Sequence, residues 1–306
     1  MSIAGDARIG NDTVGRDKII QADTYIEHAT IIQSSTQNAQ SIVTPPAQRI
    51  ANVQTWGGVE FMRIPAGKFL MGSKDDNKLA SDNEKPQHSI ELPEYWMACY
   101  LMTNEQFAKF VEEAAYKFNL EKNWKKKANH PVVKVSWHDA MEYCKWLTDL
   151  VKAEFPSQNL IARLPTEAEW EKAARGEYGN EWPRGNEFDK NKCNTREGNK
   201  SGTTPVGAYS PQGDSPYGIA DMAGNVWEWT ISLWGSDTGK PQYSYPYQFR
   251  DGREKLDAPE DVLRVLRGGS FMSVAGNGRA TSRFWDVPRD CLNYLGFRVV
   301  VAPGLG

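Results

Sequence analysis

Gly224-Asn225-Val226-Trp227-Glu228-Trp229 sets an amide oxygen and a carboxylate three residues apart beside tryptophans. Asn and Glu oxygens with neighbouring carbonyls suit a hard cation such as Ca²⁺. The same residues suit a turn whose tryptophans are core and whose polar side chains bond backbone, and both readings stay open. A second candidate lies near the C-terminus, where Arg264-Val265-Leu266-Arg267-Gly268-Gly269-Ser270-Phe271 and Gly296-Phe297-Arg298-Val299-Val300 frame a segment of irregular content. Within it Met272, Ser273, Val274, Asn277, Ser282, Phe284, Trp285, Asp286, Val287, Asp290, Leu292, Asn293 and Tyr294 follow neither a helical nor a strand period. Such a stretch reads as a surface loop held between two strands, where binding tends to sit, or as an ordinary long connection. Soft-metal and disulfide chemistry is not signalled. Cys99, Cys144, Cys193 and Cys291 are widely separated with no CxxC pair, so buried reduced thiols are expected.

The elements that must hold these groups follow from pattern. Glu60-Phe61-Met62-Arg63-Ile64 alternates, Pro65-Ala66-Gly67 turns, and Lys68-Phe69-Leu70-Met71-Gly72 resumes, which predicts a hairpin. Thr103 with Gln106 makes a capping box ahead of an apolar stripe of Phe107, Phe110, Val111 and Ala114. A second helix starts at Ser136 and carries Ala140, Cys144, Leu147 and Val151 on one face. In the third and shortest, Thr166 and Glu169 cap, Trp170 and Ala173-Ala174 pack, and Gly176 terminates. From Gly176 to about Asp261 the chain is rich in Gly, Asn, Pro, Tyr and Trp, so a large irregular region fixed by aromatic packing is expected.

At 306 residues, with 40% hydrophobic and 11% aromatic content, the chain can bury a sizeable core. A net charge of −3 argues against a nucleic-acid surface, and the basic run Lys122 to Lys127 reads as a solvated face. No apolar stretch approaches the roughly 20 residues of a membrane helix, and the N-terminus lacks a secretory pattern, which points to the cytoplasm. Residues 1 to 50 lack Trp, Phe and Leu. Turn residues there punctuate short β-branched runs, followed by a polar linker ending at Thr44-Pro45-Pro46. An association module and a disordered arm both fit. The boundaries are therefore 1–50 for this segment and 51–306 for one globular domain.

Phe61-Met62-Arg63-Ile64-Pro65-Ala66-Gly67 with Met71-Gly72-Ser73, Val135-Ser136-Trp137, Arg163-Leu164-Pro165-Thr166-Glu167-Ala168-Glu169-Trp170-Glu171, Met222-Ala223-Gly224-Asn225-Val226-Trp227-Glu228-Trp229 and the frame from Arg267-Gly268-Gly269-Ser270 to Gly296-Phe297-Arg298 resemble the formylglycine-generating enzyme (sulfatase-modifying factor) family. The resemblance implies an α+β, C-type lectin-like fold with a short antiparallel sheet, two to three helices and much irregular structure, often carrying Ca²⁺. By position, Asn194, Asn225 and Glu228 resemble the family's calcium ligands. The catalytic members place a copper-holding pair of cysteines just after Gly268-Gly269-Ser270. Here Ser273 occupies the first of those positions and no cysteine falls between Arg267 and Asp290. A serine cannot supply a soft thiolate to Cu(I), so neither copper nor catalysis is expected.

A branch of the same family, the variable proteins of diversity-generating retroelements, is the more similar. The resemblance implies a diversified recognition surface over 272–294, with Arg279, Arg283 and Pro288 as its fixed residues. Phe284, Trp285 and Tyr294 would anchor a ligand, expected to be a protein, while Asp286, Asp290 and Asn293 select it. Val14-Gly15-Arg16-Asp17-Lys18-Ile19 resembles short association elements of bacterial signalling proteins, so the N-terminal segment is expected to bind itself or a signalling partner.

Overall fold

A computed structural model describes residues 52–303. The association segment expected over 1–50 lies outside the described residues. Val53–Trp56 (β1) and Val59–Ile64 (β2) form an antiparallel hairpin closed by Gly57-Gly58. Both glycines have positive φ, 58° and 82°, as a two-residue turn matched to strand twist requires.

The hairpin predicted across Pro65-Ala66-Gly67 does not form. Gly67–Met71 (β3) leaves the sheet and pairs with His88–Leu92 (β4) as a separate ribbon, while Tyr95–Ala98 (β5) takes the place beside β2. The reason lies at the corner. Lys172 Nζ donates to Pro65 O at 2.6 Å and Gly67 O at 3.1 Å, and Phe69 and Met71 turn into a core with Ile90, Leu92 and Trp170. Local alternation identifies a strand but not its partner.

Three helices follow the capping signals. Asn104–Glu113 (α1) and Trp137–Glu154 (α2) start at Thr103 and Ser136, each with a complete capping box. Ala140, Cys144, Leu147 and Val151 form the buried stripe of α2, as expected. On α1 the stripe is shorter than expected: Phe107 and Phe110 are buried, Val111 is half-buried, and Ala114 is the exposed C-cap. Leu160–Arg163 (β6) leads into Glu167–Arg175 (α3), which Thr166 caps and Gly176 ends at φ 71°.

The irregular region runs on to Leu263, interrupted by Trp227–Gly235 (β7), nine residues buried throughout. Leu263–Arg267 (β8), Phe284–Asp286 (β9), Leu295–Gly296 (β10) and Val300–Pro303 (β11) complete the chain. One sheet has the order β1-β2-β5-β11-β6 and the other β10-β7-β8-β9, in which only the β10·β7 pair is parallel. One core cluster joins the first sheet to α1 and α2 through Phe61, Phe107, Tyr143, Leu147 and Phe297. A second lies beneath α3 around Trp170, Ile64, Tyr95 and Met222. No described helix is long and apolar enough to cross a membrane.

All nine residues of α3 are buried, its charged ones included. Glu169 takes a two-armed bond from Arg163, 2.7 Å on each oxygen. Glu171 accepts from Gly72 N at 2.6 Å, Arg175 at 2.8 Å and Arg267 at 2.5 Å. Burial alone would raise the Glu171 carboxyl, but Arg267 and Arg175 outweigh it and hold the group below the usual carboxylate range. Its stabilisation is therefore present above the unfolded value near ~4.3 and is lost as pH falls through the lower folded value. Glu171→Gln strands two guanidinium groups in the core and should lose about 3–5 kcal/mol in urea unfolding. The wild type should lose stability steeply below about pH 4.

Candidate functional site

The segment between β8 and β10 begins by reversing direction at Gly268 and Gly269, with φ of 93° and 75°. A Cβ on Gly268 would meet Trp170 at 3.0 Å, and one on Gly269 would meet Asn277 O at 2.8 Å, so only glycine fits. Ser270 and Ser273 then close a small loop. Ser270 N donates to Ser273 Oγ at 3.0 Å, Ser273 N donates to Ser270 O at 2.9 Å, and Arg196 N donates to Ser273 O at 2.9 Å. Ser273 holds the turn together.

From Arg279 to Arg283 the chain dives into the protein. Arg279 makes a two-armed bond to Glu84, 2.7 Å on each arm, and reaches Glu181 at 3.1 Å. Arg283 grips Glu167 at 2.9 and 3.0 Å and lies 4.4 Å from the Tyr245 ring centre. Thr281 Oγ1 donates to Glu84 at 2.8 Å. Farther on, Pro288 is buried and its carbonyl accepts from Trp137 N at 2.9 Å, while Leu292 O accepts from Lys134 N at 3.1 Å. The segment is fastened at both ends and in its middle.

What remains between the fastenings faces outward. Met272 is 53% exposed and Phe284 41%, and Val274, Asn277 and Asn293 are exposed as well. Trp285, Asp286, Val287, Asp290, Leu292 and Tyr294 are half-buried. Trp285 and Val287 pack against Trp234, Leu263 and Val265, and Leu292 and Tyr294 lean on the main core, so these four divide between support and surface. Two expected contact residues do not reach the surface: Ser273 is 8% exposed because of its turn bonds, and Ser282 is 5% exposed between Arg279 and Arg283. The exposed residues do not form one loop without regular structure either, because β9 pairs with β8 at Leu266↔Phe284 and Val265↔Trp285.

Several site-forming residues escaped sequence reading: Glu84 and Glu181, which hold Arg279; Glu167, which holds Arg283; and Trp227, on which Phe284 stacks at 5.2 Å. The available signal was a match of numbers, three glutamates at alternate positions in Glu167–Glu171 against repeated arginines after 263.

Asn194 and Asn225 meet side chain to side chain, whereas Glu228 is engaged by an arginine. Both Glu228 oxygens accept from Arg298, at 2.6 and 2.9 Å. Asn225 Oδ1 accepts from Thr204 N and from Asn194 Nδ2, and Asn225 Nδ2 donates to Thr204 O. Asn194 Oδ1 is buried without a hydrogen-bond partner. Asn225, at φ 68°, is better described as the hinge of a turn tying Asn194 O to its own N–H at 2.8 Å. Among the described residues no group of three His, Cys, Asp or Glu could hold a metal. Cys99, Cys144 and Cys193 are buried, and Cys291 is exposed. Burial pushes the Cys193 thiol up to about 11, which disfavours the thiolate a soft metal needs.

The chain matches the sulfatase-modifying factor enzyme 1-like domain over residues 48–303. It is 30% identical over 302 residues to the formylglycine-generating enzyme of Thermomonospora curvata, covering 78% of this chain and 92% of that one. It is 29% identical over 316 residues to the inactive C-alpha-formylglycine-generating enzyme 2 of Bos taurus, covering 83% and 91%. Among solved structures it shares the fold of Treponema denticola variable protein 1, with a TM-score of 0.60 at 24% identity over 81% of this chain and 97% of that one.

Because Arg298 already neutralises Glu228, removing Ca²⁺ should leave the protein unchanged. The melting temperature in excess chelator should equal that in millimolar Ca²⁺, with metal analysis confirming removal. An ion bound only by the folded state would raise stability by about 2.7 kcal/mol at a hundredfold excess over Kd, a shift large enough to see.

Proposed function

The chain belongs to the sulfatase-modifying factor enzyme 1-like family, and from that premise we propose that it is a non-catalytic binding protein whose 272–294 segment is a recognition surface of the retroelement variable-protein kind. One observation carries the reading. Arg279, Arg283 and Pro288 are buried and bonded to the scaffold, whereas Met272, Val274, Asn277, Phe284 and Asn293 beside them are exposed. A segment built this way keeps its path whatever occupies the outer positions, because its fastenings lie in other residues.

Binding would draw on area and preorganisation. Phe284 is backed by Trp227 and Trp285, so its contact face is presented without the entropy cost of ordering a free side chain. The wall of exposed side chains around it selects rather than anchors. The ligand is proposed to be a protein, with neither copper nor Ca²⁺ taking part.

Catalytic relatives make the oxidase the competing reading. Against it stands the turn itself: at the position where a thiolate would be needed, the Ser273 hydroxyl is engaged by Ser270 N and lies 3.1 Å from Ser270 Oγ. The purified protein should bind no Cu(I) tightly and should leave a cysteine-containing sulfatase peptide unconverted, as read by mass spectrometry. Aldehyde formed above background would overturn the non-catalytic reading.

The surface reading is tested by randomising Met272, Val274, Asn277, Phe284 and Asn293 together in a display library. Most members should stay folded, since surface changes alter stability by about 0.5 kcal/mol or less, and selection against unrelated proteins should return distinct binders. Arg283→Ala, which leaves Glu167 with only the longer Arg253 contact, should lose about 3–5 kcal/mol. A library that unfolds wholesale would mean these side chains support the fold.

A further inference from the structure

Phe284 is the most solvent-facing ring of a three-ring stack, 5.2 Å from the Trp227 centre and 5.6 Å from that of Trp285, with interplanar angles of 23° and 6°. Two residues along the same strand a pair of carboxyls begins. Asp286 ends β9, and Asp290 follows one turn later, closed by the 3.0 Å bond from Asp290 N to Val287 O. The Asp286 and Asp290 side chains share a hydrogen bond, and both lie within electrostatic reach of the half-buried Tyr294 phenol.

Among the described residues no cation answers this pair. Arg264, opposite Asp286 in the β8·β9 register, directs its guanidinium to the carbonyls of Ile231, Lys255 and Leu256. Arg279 and Arg283 belong to Glu84 and Glu167. Lys134 is paired with Glu121 and His138 with Glu260. Arg289 points to solvent and pairs with neither carboxyl. On the side of α2, Asp139 adds a further negative charge near Cys291, which Asp290 also faces. Burial, then the neighbouring Asp290, pushes the Asp286 carboxyl up to about 7. An aromatic face rimmed by uncompensated carboxyls therefore favours one kind of visitor, a cation carried beside an apolar group.

Resting on the recognition-surface reading, we propose that the partner is a protein presenting a lysine or arginine next to an apolar side chain, the cation facing Asp286 and Asp290 and the apolar neighbour packing on Phe284. Nucleic acid is disfavoured, since phosphates would meet the same carboxylates. Below about pH 7 the raised Asp286 carboxyl is increasingly protonated, and a cation bound beside it favours the ionised form. Affinity should then be higher at pH 8 than at pH 6.

The test selects a random twelve-residue peptide library on the full chain and measures the recovered peptides by calorimetry. Expected are sequences rich in Lys or Arg adjacent to Leu, Phe or Trp. They should bind Phe284→Ala and the Asp286→Asn/Asp290→Asn double variant at least about tenfold more weakly, with unaltered melting temperatures, and bind wild type more tightly at pH 8. Peptides that need Phe284 but carry no basic residue, or that bind the double asparagine variant as well as wild type, overturn the basic partner and leave the surface standing. Peptides indifferent to every change in 272–294, or a selection that returns none, overturn the surface as well. A dimer in sedimentation that Phe284→Ala abolishes would assign the face to a second copy and overturn the proposal.

Discussion

A carboxylate buried in protein must meet a cation or give up its charge, and α3 buries three of them within two turns. Glu167, Glu169 and Glu171 are answered by Arg163, Arg175, Arg253, Arg267 and Arg283, groups that come from β6, from α3 itself, from the irregular region, from β8 and from the C-terminal segment. Each guanidinium must arrive in its place before its partner is satisfied, so distant parts of the chain are registered against one short helix. Such pairs give little net stability, because desolvation offsets much of the attraction. Their effect here is on geometry: the alternatives to the native arrangement leave charges unpaired in the core.

The segment from Arg267 to Tyr294 uses the same device. Arg267 at its start and Arg283 near its middle close on α3, while Arg279 closes on Glu84 and Glu181. An apolar anchor would tolerate sliding by a residue, whereas a two-armed guanidinium–carboxylate bond does not. The outer side chains are thereby relieved of structural duty, with the exception of Trp285, Val287, Leu292 and Tyr294, which keep one side on the core. That division separates Phe284 and Met272, which face outward, from side chains that lean on the core.

The shared fold carries no activity with it. Where the catalytic relatives are expected to need a thiolate, this chain has a serine closing a turn. At the position that resembles a calcium ligand, Glu228 is held by Arg298 in a pair that also draws the Ala98 and Ala220 carbonyls to the same guanidinium. One arginine side chain thus does at this point what a cation would, gathering oxygens from three parts of the chain.

Much of this was legible in the residues taken in order. Capping boxes at Thr103, Ser136 and Thr166 and the apolar spacing behind them fix the helices, because those interactions span only three or four positions. The frame from Arg264 to Gly296 was likewise visible as a break in period, but which residues of its filling face outward was not. Strand partners were not: β2 and β3 look like a hairpin locally, and only the Lys172 clamp and the core under α3 part them. Nor could the sequence say that Asn194, Asn225 and Glu228 would meet amides and an arginine, or that Ser273 and Ser282 would turn inward. Pairing between residues about 100 or more positions apart, such as Glu171 with Arg267 at 96 and Glu84 with Arg279 at 195, leaves no periodic trace in a single chain. Sequence therefore determined the short-range elements and the chemistry each side chain could offer. Which charges meet, and so which faces are left for a partner, was decided only when the chain closed on itself.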